Sequence, residues 1–399
     1  MTAESPQQRP RTALIAGYAR TPFVRFGGKF SKVPAVNLGA HAAAAALRRA
    51  GVSPKDVQRV VAGHVLQGGA GQNPARQTAI GARIPYSVPA LTINAVCLSG
   101  MEAVVEASRL ISSGEAEIVL AVGQESMSLA PHVLGARAGQ KYGAMELVDT
   151  LERDGLTDAF EGCSMGVLTD NSNADLGISR SDQDILAAAS HRRAATHSDF
   201  QAGEIEPYIL TSRGNDIVVA QDDGIRPDAT AESLATLRPA FAPEGTVTAG
   251  NASQITDGAA ALVLVSQEAA QRLGLSPLAA VESHAMVSGP DIRLHSQPAN
   301  AILAALKKTD ISPADLSAIE INEAFAAVVV QSIDDLGVDA QIVNSRGGAV
   351  ALGHPIGASG ARIVGTLARQ LVESGPGSFG AAGICGGGGQ GSAVLLRAI

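Results

Sequence analysis

The chain has 399 residues, 46% of them apolar, 17% charged and 3% aromatic, with 44 glycines and no tryptophan. That length supports two or three domains or one large α/β body, with a core of Ala, Val, Leu and Ile rather than aromatic rings. Thirty basic against 38 acidic residues give a net charge of −8 with no basic stripe, which argues against a nucleic-acid or anionic-membrane partner while leaving room for local basic contacts to a phosphorylated small molecule.

Met1 to Arg11 is polar with no apolar stretch behind it, so it reads as a short disordered tail and not as a secretion signal. No apolar run approaches the roughly 18 residues that a membrane helix needs. The three cysteines, Cys97, Cys163 and Cys385, are odd in number, far apart and free of any CxxC spacing. They predict neither a disulfide framework nor a structural zinc site. The expectation is a reduced, soluble, cytoplasmic protein.

The first predicted unit has a copy elsewhere. Gly51-Val-Ser-Pro-Lys-Asp-Val-Gln-Arg-Val-Val-Ala-Gly63 aligns with Asp310-Ile-Ser-Pro-Ala-Asp-Leu-Ser-Ala-Ile-Glu-Ile-Asn322, at an offset of 259 residues. Each copy predicts a Ser-Pro start, one helical turn and a strand.

Ala90 to Ile93 then reads as a strand, followed by Asn94-Ala-Val-Cys97-Leu-Ser-Gly100 and a helix over Glu102 to Ile111. At a helix N-terminus the unpaired N–H groups and the macrodipole favour a thiolate, lowering the pKa of Cys97 from about 8.5. A buried structural cysteine is the plainer alternative there. A strand over Ala116 to Val122 follows.

From Gln124 to Gly250 the composition shifts toward charge and turn residues, as in Glu152-Arg-Asp-Gly155 and Arg213-Gly-Asn-Asp216. An insertion of this size predicts a lobe of its own. It holds one clear helix, Arg180 to His197, with Ser179 or Ser181 as N-cap and with His191 and His197 as surface residues. Ala259 to Val265 reads as the strand that closes the first half.

In the second half, Asn322-Glu-Ala-Phe325 ends the repeated strand. A polar pair there marks a strand terminus or helix cap, and it also suits holding a water or a substrate carbonyl. His354 lies in Gly353-His-Pro-Ile-Gly-Ala-Ser-Gly360, where the proline biases it out of helical geometry and lets its ring project from a loop. Gly357-Ala-Ser-Gly-Ala361, a helix from Arg362 to Val372 and a strand from Ser378 to Ile384 echo the Cys97 segment and its sequel.

Cys385 opens Gly386-Gly-Gly-Gly-Gln-Gly391, whose glycines permit positive φ and could form an anion nest. The run contains GxGxxG, but a strand, Ala393 to Leu396, follows where a dinucleotide site needs a helix. There is no P-loop lysine motif.

The alternation of strands and helices predicts mostly parallel sheets with helices on their faces. Two thiols, one imidazole and one amide, each at a strand end of a two-fold repeat, favour covalent acyl chemistry.

These segments, with Ala19-Arg-Thr-Pro22, Gly68 to Ala79, Glu125-Ser-Met-Ser128 and Gly250-Asn-Ala-Ser253, resemble the thiolase family over nearly all residues after about position 12. The resemblance implies an α/β thiolase fold: two repeated halves, residues 1–124 (completed by 251–277) and 278–399, in a five-layer αβαβα core. Residues 125–250 would be an inserted loop lobe covering coenzyme A.

It further implies that Cys97 is the nucleophile carrying the acyl group and that His354 takes its proton and donates to the thioester oxygen. Cys385 would be a second acid/base acting at the acetyl-CoA carbon, and Asn322 would fix a water in one oxyanion hole. The N–H groups of Cys97 and Gly387 would form the other. Ser253 resembles a residue near the pantetheine arm, Met165 and Phe325 resemble acyl-pocket residues, and Ala324 and Ala249 fall among the implied substrate contacts. Plain core packing is the other reading for Met165 and Phe325.

The implied activity is reversible Claisen condensation of two acetyl-CoA to acetoacetyl-CoA and CoA, by ping-pong transfer through Cys97. A degradative 3-ketoacyl-CoA thiolase of broader chain length, serving fatty-acid β-oxidation, is the alternative. A ketoacyl synthase would carry histidine where Cys385 stands. No cofactor or metal is expected beyond coenzyme A as substrate and product, and the implied assembly is a homodimer or homotetramer.

Three positions depart from the family pattern. Ser164 stands where short-chain members often carry histidine, which leaves acyl chain length open. Arg346 replaces a common asparagine, and Gly386 replaces a bulkier residue.

Overall fold

A computed structural model describes residues 11–211 and 214–399. All but the last residue of the tail expected over Met1 to Arg11, and Arg213 of one expected turn, lie outside the described residues.

The first half runs β1 (Ala13–Arg20), α1 (Ala35–Ala50), β2 (Arg59–Gly63), α2 (Pro74–Gly81), β3 (Ala90–Ile93), α3 (Ser99–Ser112) and β4 (Ile118–Glu125). The insertion carries α4 (Met165–Leu176) and α5 (Arg180–Thr196). The chain then re-enters the first half as β5 (Thr256–Ser266) and α6 (Gln267–Leu273).

The second half runs β6 (Ala279–Ser288), α7 (Gln297–Leu306), β7 (Leu316–Ile321), α8 (Ala326–Leu336), α9 (Ala349–Leu352), α10 (Ser359–Ser374), β8 (Phe379–Gly386) and β9 (Gln390–Ala398).

The repeat seen in the sequence is a repeat of strand order. The first half reads β3-β2-β4-β5-β1, and the second reads β7-β8-β9-β6 with an isolated parallel bridge, Ile319 to Val343, in the place of β3. The Ser-Pro signals open short 3₁₀ turns, Pro54–Asp56 and Pro313–Asp315, each feeding the matching strand. The halves meet where β1 and β6 pair over two residues, Leu14 with Ala280 and Ile15 with Ala279.

The expected mostly parallel sheets are corrected. Pairs β2/β3, β2/β4 and β7/β8 are parallel, whereas β1/β5, β4/β5, β6/β9 and β8/β9 are antiparallel. In the second half the reason is a hairpin: Gly387 to Gly389 turn the chain directly from β8 into β9, and a tight turn can only join antiparallel neighbours. Gly388 and Gly389 have φ of 78° and 67°, and a Cβ on Gly389 would lie 2.0 Å from Asp291 O. In the first half the insertion brings β5 back between β4 and β1.

The layers follow from the apolar faces. Helices α3 and α10 form the middle layer, sharing one buried cluster with strands of both halves. Helices α1, α2 and α6 cover the outer face of the first half, and α7 and α8 that of the second. This is the five-layer αβαβα arrangement.

The two middle helices touch at their N-termini through glycine. A Cβ on Gly100 would lie 2.7 Å from Gly357 O, and one on Gly360 would lie 2.3 Å from Met101 N. The paired Ser-Gly echoes therefore allow the Cys97 and His354 loops to approach each other.

The insertion is docked rather than hung. Arg20 is fully buried and binds Glu204 at 2.9 Å and both oxygens of Asp222 at 2.7 and 2.8 Å. Removing one member of such a set costs about 3–5 kcal/mol, because the partners are left buried and unpaired.

Ser179, not Ser181, caps α5, in a capping box with Asp182. His191 is not at the surface: it is 2% exposed, and its Nδ1 accepts the Arg226 N–H at 3.1 Å. Helix α5 packs its alanines against Val350, Ala351 and Leu352 and so buries a face that lacks the usual apolar stripe.

Candidate active site

The nucleophile loop starts from the short strand β3 and stores strain just before Cys97. Val96 has φ of 51°, a left-handed conformation that a β-branched residue rarely adopts and that costs about 1–3 kcal/mol. Its N–H donates to Asn94 Oδ1 at 3.0 Å, while its carbonyl accepts from Ser99 Oγ at 2.6 Å. The loop thereby turns Cys97 toward a cavity of about 250 Å³ whose wall is mostly apolar.

That cavity gathers Cys97, His354, Cys385 and Gly387, with Ser164, Met165, Ser253, Ala324 and Phe325 further along its wall. Asn322 stands behind His354 with Nδ2 at 3.4 Å from its Nδ1, and Asn322 Oδ1 is buried with no partner among the described residues. Ala249 is not on the cavity wall; it is exposed in the turn before Asn251.

Protonation is set by enclosure. Cys97 as a residue is only half-buried, but its thiol packs against Leu66, Met127 and Ile356. Burial pushes it up to about 11, against the opposing pull of N–H donors from Gly387 and its own backbone. The lowered thiol pKa expected from the helix terminus is thus corrected: α3 begins at Ser99, beyond Cys97, and desolvation outweighs the N–H donors.

Burial, reinforced by the Arg362 charge, pulls His354 down to about 3. Cys385 is pushed above the usual thiol range by burial and by the neighbouring Cys97. Each shift favours the uncharged form at neutral pH, so the attacking thiolate is one formed as His354 accepts its proton.

This sets a measurable sign. Alkylation of Cys97 by iodoacetamide in the free protein is expected to keep rising from pH 7 to pH 10, following the growing thiolate fraction. A plateau below pH 8 would mean a stabilised thiolate and contradict this picture.

His354 is aimed by Gly353 at φ 102° and by its own N–H, which donates to Gln254 O at 3.0 Å. Its Nδ1 lies 2.5 Å from Ser359 Oγ, while Nε2 is buried with no partner among the described residues. Cys385 closes the far side, packed with Ala252, Leu294 and Phe325.

Ser253, Ala324 and Phe325 belong to one ladder. Ser253 N–H donates to Ala324 O at 3.0 Å, and Ala252 bridges Phe325. Ser164 caps α4 by accepting the Val167 N–H at 3.2 Å.

Of the departures, Arg346 points away to Glu373 at 2.6 Å and over the Phe200 ring. Gly386 lines the cavity, where a Cβ would meet Leu98 at 2.8 Å.

Phe241, Leu156 and Ile356 are among the wall residues that the sequence did not single out. Phe241 stands edge-on to Phe325 at 6.3 Å, over Gly166, where a Cβ would lie 2.3 Å from the ring. The glycine directly after Met165 was the available signal.

Among the described residues no group of three or more His, Cys, Asp or Glu is placed to hold a metal ion, and no helix is long and apolar enough to cross a membrane.

Fold and site together define a class: a duplicated five-layer α/β protein with two cysteines and one histidine on a single apolar cavity. The thiolase N-terminal domain model matches residues 13–268, and the thiolase C-terminal domain model matches residues 275–398. The chain belongs to the thiolase family.

It is 48% identical over 392 residues to the probable acetyl-CoA acetyltransferase of Mycobacterium leprae (strain TN), covering 97% of this chain and 100% of the relative. It is 45% identical over 391 residues to the acetyl-CoA acetyltransferase of Chromobacterium violaceum, covering 96% and 99%. The crystal structure of the Bacillus anthracis acetyl-CoA acetyltransferase superposes with a TM-score of 0.94 at 38% identity, covering 98% of this chain and 100% of that one.

Proposed function

We propose that this protein is an acetyl-CoA C-acetyltransferase that condenses two acetyl-CoA reversibly to acetoacetyl-CoA and CoA. The observation that carries the reading is the convergence of Cys97, His354, Cys385 and Gly387 on one enclosed cavity, joined to relatives that bear this name at 45–48% identity.

His354 Nε2 takes the Cys97 proton as Sγ attacks the thioester carbon. The N–H groups of Gly387 and Cys97, which now point at the thiol, would hold the oxyanion, a task for fixed donors in a site closed to water. Collapse expels CoA thiolate, which leaves protonated after taking the Cys385 proton. The Cys385 thiolate then removes a methyl proton from the second acetyl-CoA, and the resulting enolate oxygen is held by His354 Nε2–H and a water on Asn322. Attack of the enolate carbon on the acyl group regenerates Cys97 and releases acetoacetyl-CoA.

Ser253 and Ala324 would flank the pantetheine arm, with Met165 and Phe325 at the acyl end. Ala249, exposed in the turn before Asn251, would contact CoA outside the cavity. We further propose that the enzyme works in the cytoplasm as a homodimer or homotetramer and without a metal or cofactor.

One observation favours a second reading, a 3-ketoacyl-CoA thiolase of broader chain length. Ser164 is small, its hydroxyl faces the helix it caps, and it lines the cavity wall with Met165. Thiolysis of acetoacetyl-CoA beside 3-ketooctanoyl-CoA decides. A kcat/KM ratio of about a hundredfold for the shorter substrate, roughly 2.7 kcal/mol, is the result expected for the acetyltransferase. Equal rates, or a preference for the longer chain, would replace it with the degradative enzyme.

A further inference from the structure

Helix α10 begins at Ser359, which is fully buried. Its hydroxyl lies 2.5 Å from His354 Nδ1 and 3.1 Å from Pro355 O. A hydroxyl has one proton to give, and a carbonyl only accepts. With its proton on Pro355 O, Ser359 Oγ is an acceptor toward the imidazole. Nδ1 carries the ring hydrogen, and the neutral ring's lone pair sits on Nε2, the atom with no partner.

The internal repeat provides a comparison within one molecule. Ser99 holds the matching place at the start of α3, where its hydroxyl donates to Val96 O at 2.6 Å and accepts the Ala95 N–H at 2.9 Å. Both serines give their proton to a backbone carbonyl just ahead of the helix. Only in the second half is the accepting side of the hydroxyl turned to an imidazole.

The other tautomer has a sponsor in the same site. Asn322 Nδ2 lies 3.4 Å from His354 Nδ1 and, as a donor, favours a lone pair on Nδ1 and the hydrogen on Nε2. A neutral ring in that state cannot receive a proton at Nε2.

We infer that Ser359 is a positioning residue that holds His354 in the Nδ1–H tautomer against Asn322, so that Nε2 is free to accept the Cys97 proton. In that step the Cys97 S–H bond breaks and an N–H bond forms at Nε2. Nδ1–H stays on Ser359, leaving a thiolate beside an imidazolium. The inference rests on the proposed function only for the identity of the acyl donor.

The test combines turnover with rapid-quench acetyl transfer from acetyl-CoA to Cys97, read by peptide mass. Ser359→Ala is expected to lower kcat by about 10- to 100-fold with KM little changed, as when a general base loses its orienting partner. It should slow Cys97 acetylation at pH 7 by a similar factor. Ser359→Thr should retain most of both rates, and Ser359→Val, which matches threonine in shape, should not. A gap between the Thr and Val variants reports the hydroxyl even where the Ala variant folds poorly.

Wild-type rates in Ser359→Ala, or equal rates in the Thr and Val variants, would overturn the inference. A wild type whose Cys97 acetylation depends on Ser359 but which fails to cleave acetoacetyl-CoA would defeat the proposed function and support this inference.

Discussion

Replacing Cys97 by alanine is expected to lower kcat for acetoacetyl-CoA thiolysis by about 10⁴-fold or more, because the covalent route is lost and only binding and the oxyanion donors remain. The fold should survive. The Cys97 side chain is at the cavity floor and only half-buried, while the strained turn at Val96 is held by Asn94 and Ser99, which the substitution leaves in place. Steady-state kinetics beside a thermal melt checks both parts. Full activity in Cys97→Ala would refute the mechanism.

The second large effect is expected at Cys385. Cys385→Ala removes the group placed to move the acetyl-CoA carbon proton, so condensation should fall by about 10²–10⁴-fold. Acetyl transfer from acetyl-CoA to Cys97 should fall far less, because Cys97 Sγ, His354 Nε2 and the two N–H donors are untouched and only the proton that Cys385 gives the departing CoA thiolate is lost, which solvent can replace. Rapid-quench measurement of acetyl uptake beside acetoacetyl-CoA formation separates the half-reactions. Equal loss in both would show that Cys385 supports the site as a whole rather than the carbon proton transfer.

Much of the framework was readable in the sequence because it was written twice. The Ser-Pro turn and strand recur 259 residues apart, and the Ser-Gly pairs at 99–100 and 359–360 mark helices whose glycines pack backbone to backbone. That contact brings the Cys97 and His354 loops together, so motif order already carried part of the site geometry.

What escaped the sequence depended on distant neighbours. The direction of β5 is set by where a long insertion returns, which no local period records. Burial pushes the Cys97 thiol up, and part of the apolar cluster around it, Met127 and Ile356, is remote in the chain, whereas the helix-terminus argument sees only adjacent residues. Val96 at positive φ runs against its local preference and exists because the surrounding fold overrides it. The burial of His191 has no local signature, because α5 buries alanines rather than a leucine stripe. Phe241 reaches the cavity from the far end of the insertion, over a glycine whose purpose appears only when the ring is in place.

The most direct test of acyl transfer through Cys97 is intact-mass spectrometry of the wild-type protein mixed with acetyl-CoA and quenched in acid. The mechanism predicts one added acetyl group per chain, mapped to the Cys97 peptide and removed when CoA is supplied in excess. No added mass, or an acetyl group carried on a residue other than Cys97, would contradict it.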